Sequence, residues 1–233
     1  MKTNCFRLIK PLFIILPLFV TLACKEAEKQ KISQGHLIYE IDFPDIDPEE
    51  RPIIFMLLPK KQDYVFKNNV FHSNIKRATF ELNVIVDTKE QNFYSDLRFN
   101  EKYHTILNSK KAEDILNVLP KYKVEFTEEK DTLLGLDIHK AVVQNKELGE
   151  FDVWYTEDIV MDSPNWYNPY REIPGVLMKY KINQNGTTMN FTATQLDTSP
   201  IEDEHFAIEP KGKAVDFLTY QKYIDELFNN LLN

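Results

Sequence analysis

Four carboxylates, Glu157, Asp158, Asp162 and Glu172, bracket a loop that carries Trp166, Tyr167 and Tyr170. Two such groups facing one another could share acid–base work, one held protonated and the other ionised. In a chain with 36 acidic against 28 basic residues they are read instead as a solvated acidic rim. The rings, with Trp154 nearby, suit the mouth of an apolar pocket, where aromatic walls surround a few polar groups. They suit ordinary core and loop packing equally well, and the residues leave both readings open. Other chemistry finds less support. His36, His72, His104, His139 and His205 show neither HxH nor HExxH spacing, so no metal site is expected. No G-x-S-x-G elbow occurs, and six scattered glycines build no phosphate cradle. The expectation is a non-enzymatic chain with no catalytic residue and no cofactor.

The two cysteines point to an address rather than to thiol or disulfide chemistry. Lys2, Arg7 and Lys10 precede an apolar run over 11–22 that is too short and too proline-broken to span a membrane comfortably. The run ends in Val20-Thr21-Leu22-Ala23-Cys24, which looks like a bacterial lipobox. Residues 1–23 are expected to leave as a signal peptide, taking Cys5, while Cys24 takes a palmitate-type lipid and anchors the chain to membrane. Residues 24–33 read as a charged, flexible tether, and 34–233 as a single domain. Loss of three positive charges with the signal changes 28 − 36 = −8 to 25 − 36 = −11, which argues against nucleic acid as a partner. The implied location is the cell envelope, at the outer membrane of a Gram-negative bacterium.

Behind the aromatic loop stands a β-hairpin whose register is legible residue by residue. Asn185-Gly186 favours a two-residue type I′ turn, because both residues tolerate positive φ. The turn sets Gln184 opposite Thr187, Ile182 opposite Met189 and Tyr180 opposite Phe191. That row is apolar, while Lys181 and Lys179 fall on the wet face, so a one-residue slip would expose the whole row. Upstream, Phe151, Val153 and Tyr155 alternate with Asp152, Trp154 and Thr156 as a further strand. Period-2 stretches also run through Leu37, Tyr39, Ile41 and Phe43, and through Phe80, Leu82, Val84 and Val86. Two helices are expected: 109–119, and a C-terminal one capped by Asp216 with Phe217, Tyr220, Ile224, Leu227, Phe228 and Leu231 along one face.

A family resemblance rests on Trp154-Tyr155-Thr156-Glu157-Asp158-Ile159 followed by Ile173-Pro174-Gly175-Val176-Leu177. Gly135 and His139-Lys140-Ala141 precede them, and Gly35-His36-Leu37-Ile38-Tyr39-Glu40-Ile41 opens the domain. This order resembles Bacteroidetes envelope proteins of the GLPGLI type and related LolA-like families. The resemblance implies a strongly curved half-barrel sheet around a helix, an apolar cavity, and no established activity. It marks Trp154, Thr156, Asp158, Pro174, Gly175, Asn185 and Gly186 as structural.

Together these readings predict an α+β fold, mainly antiparallel β: a single curved, LolA-like sheet wrapping helices, with a C-terminal amphipathic helix. The expected function is a lipoprotein that binds an apolar, acyl-type ligand, with Tyr39, Phe80, Val153, Tyr155, Trp166, Tyr170 and Tyr180 as the binding residues. The alternative is an adaptor lipoprotein that docks an envelope protein partner and holds no ligand.

Overall fold

The computed structural model describes residues 31–111, 117, 119–120 and 122–232. Cys24 and the rest of the N-terminal address lie outside the described residues, as do residues 112–116 and 118 of the expected helix over 109–119, whose described start is a 3-10 turn at Ser109–Lys111. The chain is fixed slightly earlier than the tether reading expected. Ile32 bridges to Ile159, donating to the Asp158 carbonyl at 2.8 Å and accepting from Val160 at 2.8 Å.

In chain order the elements are β1 (Gln34–Asp42), α1 (Pro52–Leu57), β2 (Lys61–Lys67), β3 (Val70–Lys76), β4 (Glu81–Asp87), β5 (Asn92–Arg98) and β6 (Lys102–Leu107). There follow β7 (Lys123–Leu133), β8 (Leu136–Asn145), β9 (Gly149–Thr156), β10 (Val176–Gln184), β11 (Thr187–Asp197), β12 (Lys213–Ala214) and α2 (Phe217–Leu232). All twelve strands join one sheet, ordered β12-β6-β5-β4-β3-β2-β1-β11-β10-β9-β8-β7. Pairing is antiparallel throughout except between β12 and β6. The α+β expectation is therefore corrected. This is a largely β fold built on a twelve-stranded mixed sheet, with two short α-helices among the described residues, not a sheet organised to wrap helices. The physical reason is that local pairing of consecutive strands consumes nearly the whole chain. Among the described helices, α2, whose apolar stripe at 3.6-residue spacing must be covered, packs its buried face against the core.

The β10–β11 hairpin closes through Asn185 (φ 51°) and Gly186 (φ 79°), and its register pairs Gln184 with Thr187, Ile182 with Met189 and Tyr180 with Phe191. Asp216 caps α2 by accepting from the Thr219 amide at 2.9 Å. The helix then ties two distant parts of the sheet together. The Tyr220 hydroxyl meets Ser95 Oγ of β5 at 2.7 Å, and Asp225 accepts from Gln184 Nε2 of β10 at 2.6 Å. A flat sheet would hold β5 and β10 about 29 Å apart across six strand spacings. Five residues of helix rise only about 7.5 Å, so the sheet must curl for both contacts to form. Its concave face carries the main core.

Burial raises the Asp225 carboxyl above its usual range, against the opposing pull of the Gln184 amide. A raised folded pKa means that this group's contribution is fully present below the unfolded value, about 3.9, and is lost as pH rises through the folded one. Asp225→Asn, which keeps an acceptor for Gln184, is expected to stabilise the protein at pH 7 by at most about 0.5 kcal/mol, given its solvent exposure. Thermal midpoints at pH 7 and pH 4 check this: the gain should vanish at the lower pH.

Candidate functional site

Inward-facing residues of β2–β6 form three rows across the strands. The first is Phe66, Phe71, Val86, Phe93 and Leu107, all buried and apolar. The second is Tyr64, Ser73, Val84, Ser95 and Thr105. The third contains Ile75, Leu82, Leu97 and Tyr103, the last stacked on Tyr223 of α2 with ring centroids 3.8 Å apart. Small side chains in the middle row leave space between the flanking two. A cavity of about 400 Å³ occupies that space, flanked by the loop over 163–174 and by α2, with Leu119, Pro120 and Tyr122 also on its wall. Ile75, Leu82, Val84, Tyr180 and Ile182 line it and are only half-buried, so its apolar wall is incompletely covered.

The loop reaches the sheet through its rings. Tyr167 inserts between Phe71 and Phe93, with centroids at 5.6 and 5.8 Å, and Trp166 stands edge-on to Tyr167. Tyr170 packs on Tyr122 and Tyr180, and its hydroxyl donates to the Lys181 carbonyl. Buried Asn165 fixes the loop's shape by donating to the carbonyls of Ile173 (2.9 Å) and Gly175 (2.8 Å). The loop thus spans two clusters: the main core under Trp166 and Tyr167, and a second one of Val143, Phe151, Val153, Tyr155, Tyr170 and Ile173.

Polar groups in the cavity are oriented by one another. The Tyr39 hydroxyl donates to the Leu177 carbonyl at 2.8 Å, beside a bulge in β10 that interrupts its ladder with β9. Tyr180 donates to Gln62 Oε1 at 3.2 Å, and Gln62 Nε2 donates to Ser73 Oγ at 2.6 Å. Burial pushes the Tyr39, Tyr64 and Tyr180 hydroxyls well above their ordinary range, and that of Tyr167 up to about 12. All four stay neutral at physiological pH. Among the described residues, no Asp, Glu, Lys, Arg or His lines the cavity. The arrangement can hold an apolar body and offer it neutral hydrogen bonds; it presents no nucleophile–base pair.

Of the seven residues expected to bind ligand, Tyr39, Tyr170 and Tyr180 line the cavity. Phe80 is buried in the main core, Val153 and Tyr155 belong to the second cluster, and Trp166 is buried behind Tyr167 with its indole N–H unpartnered among the described residues. Gln62, Ser73, Ser95 and Tyr167 were not in that set; their signal was a polar residue at an inward strand position, or a ring on the loop. The bracketing carboxylates do not converge. Asp158 is buried, accepting from the Asp137 amide at 2.8 Å and from Lys31 Nζ at 3.3 Å, while Glu157, Asp162 and Glu172 are exposed. Of the residues marked as structural, Thr156 donates to the Asp137 carbonyl at 2.7 Å, Pro174 and Gly175 lead into β10, and Trp154 lies beneath Lys179 Nζ at 5.7 Å.

A second hollow of about 640 Å³ lies on the outer face of β3–β6, under residues 204–211. It carries mixed charge, with Lys76 and Arg98 each 3.6 Å from Glu81, so it presents no field of one sign. Among the described residues no cluster of His, Cys, Asp or Glu could hold a metal ion, and no helix is long and apolar enough to cross a membrane.

No protein-family model matches the chain, and no curated protein matches it. Among solved structures it is similar to PNGF-II, at 17% identity and a TM-score of 0.53, over 82% of this chain and 33% of that one. A second crystal form of PNGF-II aligns at 17% identity and a TM-score of 0.44, over 82% and 32% of the two chains. The chain thus spans about a third of PNGF-II, and the likeness is one of fold. It does not indicate the GLPGLI or LolA-like resemblance read from the sequence.

Proposed function

We propose that this chain is a non-enzymatic binding or carrier protein of the cell envelope, lipid-anchored through Cys24, that holds an apolar ligand between the concave sheet face, the aromatic loop and α2. One observation carries the reading: a cavity of about 400 Å³ whose apolar wall of Ile75, Leu82, Val84 and Ile182 is left half-covered by the described residues. That volume lies within the range typical of small-molecule sites. An adaptor that held no ligand would gain stability by filling such a space with larger side chains, because uncovered apolar wall forfeits burial of about 25 cal/mol per Å².

Native mass spectrometry of the full chain, with solvent extraction of bound lipid, tests the proposal. The expected result is a stoichiometric apolar ligand that is lost in Leu82→Trp, a variant that fills the cavity from β4. Val153→Ala, which alters the second cluster instead, should keep the ligand. A ligand-free mass that takes up neither added fatty acid nor lipid ester would sink the carrier reading.

A further inference from the structure

The geometry points to a selection rule in this cavity: it admits an uncharged amphiphile whose polar group accepts a hydrogen bond, such as a lipid ester carbonyl, and rejects the same chain with a carboxylate or ammonium head. The rule rests on the cavity being a binding site. It adds which heads can enter.

One hydrogen-bond chain on the cavity wall has a fixed direction. A tyrosine hydroxyl at Tyr180 donates to Gln62 Oε1, which fixes the amide so that Nε2 faces Ser73 and donates to Oγ. Ser73 Oγ is thereby an acceptor already, and its own hydrogen meets no acceptor among the described residues. A hydroxyl holds one donor beside its acceptor sites, so the open end of the chain is a donor on the cavity wall. The matching ligand atom is an acceptor.

Charge is excluded by what surrounds that donor. Lys179 and Lys181 flank Tyr180 in sequence, but neither lines the cavity, and their ammonium groups lie 5.7 Å from the Trp154 ring and 5.6 Å from the Phe151 ring. Lys76, Glu81, Asp96 and Arg98 of β3–β5 line the outer hollow instead. Among the described residues that line the cavity, a carboxylate would shed its water and meet neutral donors but no cation, and an ammonium head would meet no anion. Neither attraction offsets desolvation. An acid or amine therefore enters only as its neutral form, and its apparent affinity is reduced by the fraction in that form.

The test compares three probes with one chain length, each below its micelle concentration, on the full chain by calorimetric titration: glycerol monolaurate, dodecanoic acid and dodecylamine. With carboxyl and amine pKa values near 4.3 and 10.4, the acid and the amine should each bind about a thousandfold more weakly than the ester near pH 7.4. Between pH 8 and pH 6 the acid should tighten about a hundredfold, the amine should weaken by the same factor, and the ester should not change. Ser73→Ala should weaken the ester roughly tenfold. If that variant fails to fold, the opposed pH profiles of the unaltered chain still decide the matter. Equal binding of ester and acid at pH 8 would overturn the selection rule while leaving the cavity a binding site. Binding of none of the three would overturn the cavity reading along with it.

Discussion

Gly175→Ala is expected to destabilise the protein by about 3 kcal/mol, a cost at the upper end for forced overpacking. A Cβ at this position would stand 2.3 Å from the Thr156 carbonyl oxygen, 2.7 Å from its carbon and 2.9 Å from Tyr155 Cδ2. The first two are backbone atoms, which cannot swing aside as a flexible side chain would. Nor can Thr156 retreat, because its hydroxyl is bonded to the Asp137 carbonyl of β8 at 2.7 Å and accepts from the Asp158 amide at 3.1 Å. The strain would therefore open the β9–β10 pairing that starts at Val176 and Thr156. It would also move the Gly175 carbonyl away from Asn165. Gly186→Ala makes the contrast. Its Cβ would meet nothing within 4 Å, and its only burden is the left-handed backbone at φ +79°, worth about 1 kcal/mol. Urea unfolding of the two variants should rank them in that order. Equal midpoints would show that the close approach at Gly175 is not what fixes the loop.

Elements specified by short-range chemistry were legible in the sequence. Asn185-Gly186 demanded a positive-φ turn and so dictated the register of the hairpin. The 3.6-residue stripe of α2, with Asp216 before it, dictated both a helix and its buried face. The order of the sheet was not legible, because β1 lies between β2 and β11 and no local signal announces a partner some 150 residues away. The fold class went astray for a related reason. Counting candidate helices suggested a helical layer, whereas the concave face is covered largely by the loop over 163–174 together with α2.

Large apolar residues such as Phe80 and Val153 lie in the core rather than on the cavity wall, because large side chains fill space and small ones leave it. In β3 the inward positions read Phe71, Ser73, Ile75, and in β5 Phe93, Ser95, Leu97. A serine between two large apolar residues on a buried face is the trace a cavity leaves in sequence, and two such strands near each other in one sheet mark its floor. Tyr39 and Tyr180 do line the cavity, and a tyrosine on a core face needs a partner for its hydroxyl. Such a partner is found near polar gaps.

Asn165→Asp should have the largest effect of any single change in the loop, a loss of about 3–5 kcal/mol at pH 7. Asn165 is buried, and both of its amide hydrogens are committed, one to the Ile173 carbonyl at 2.9 Å and one to that of Gly175 at 2.8 Å. The substitution is nearly isosteric, so packing is retained and only the sign of the electrostatics changes. A carboxylate would point oxygens at two carbonyl oxygens, with no donor to replace the two lost. Burial and these acceptors would both raise the new carboxyl's pKa in the folded state above the unfolded value of about 3.9. With a raised folded pKa, stability is fully present below the unfolded value and is lost as pH rises through the folded one. The variant should thus recover part of its deficit in acid, where a protonated carboxyl supplies one O–H donor to one of the two carbonyls. Asn165→Ala removes the donors without adding charge. It should cost about 2 kcal/mol or more at every pH, from two carbonyls left unsatisfied. Chemical denaturation of both variants between pH 4 and pH 8, each referred to the unaltered chain at the same pH, separates the two cases. A deficit in Asn165→Asp that does not shrink toward pH 4 would mean that the loop is held by its packed rings, Trp166, Tyr167 and Tyr170, and not by this side-chain clamp.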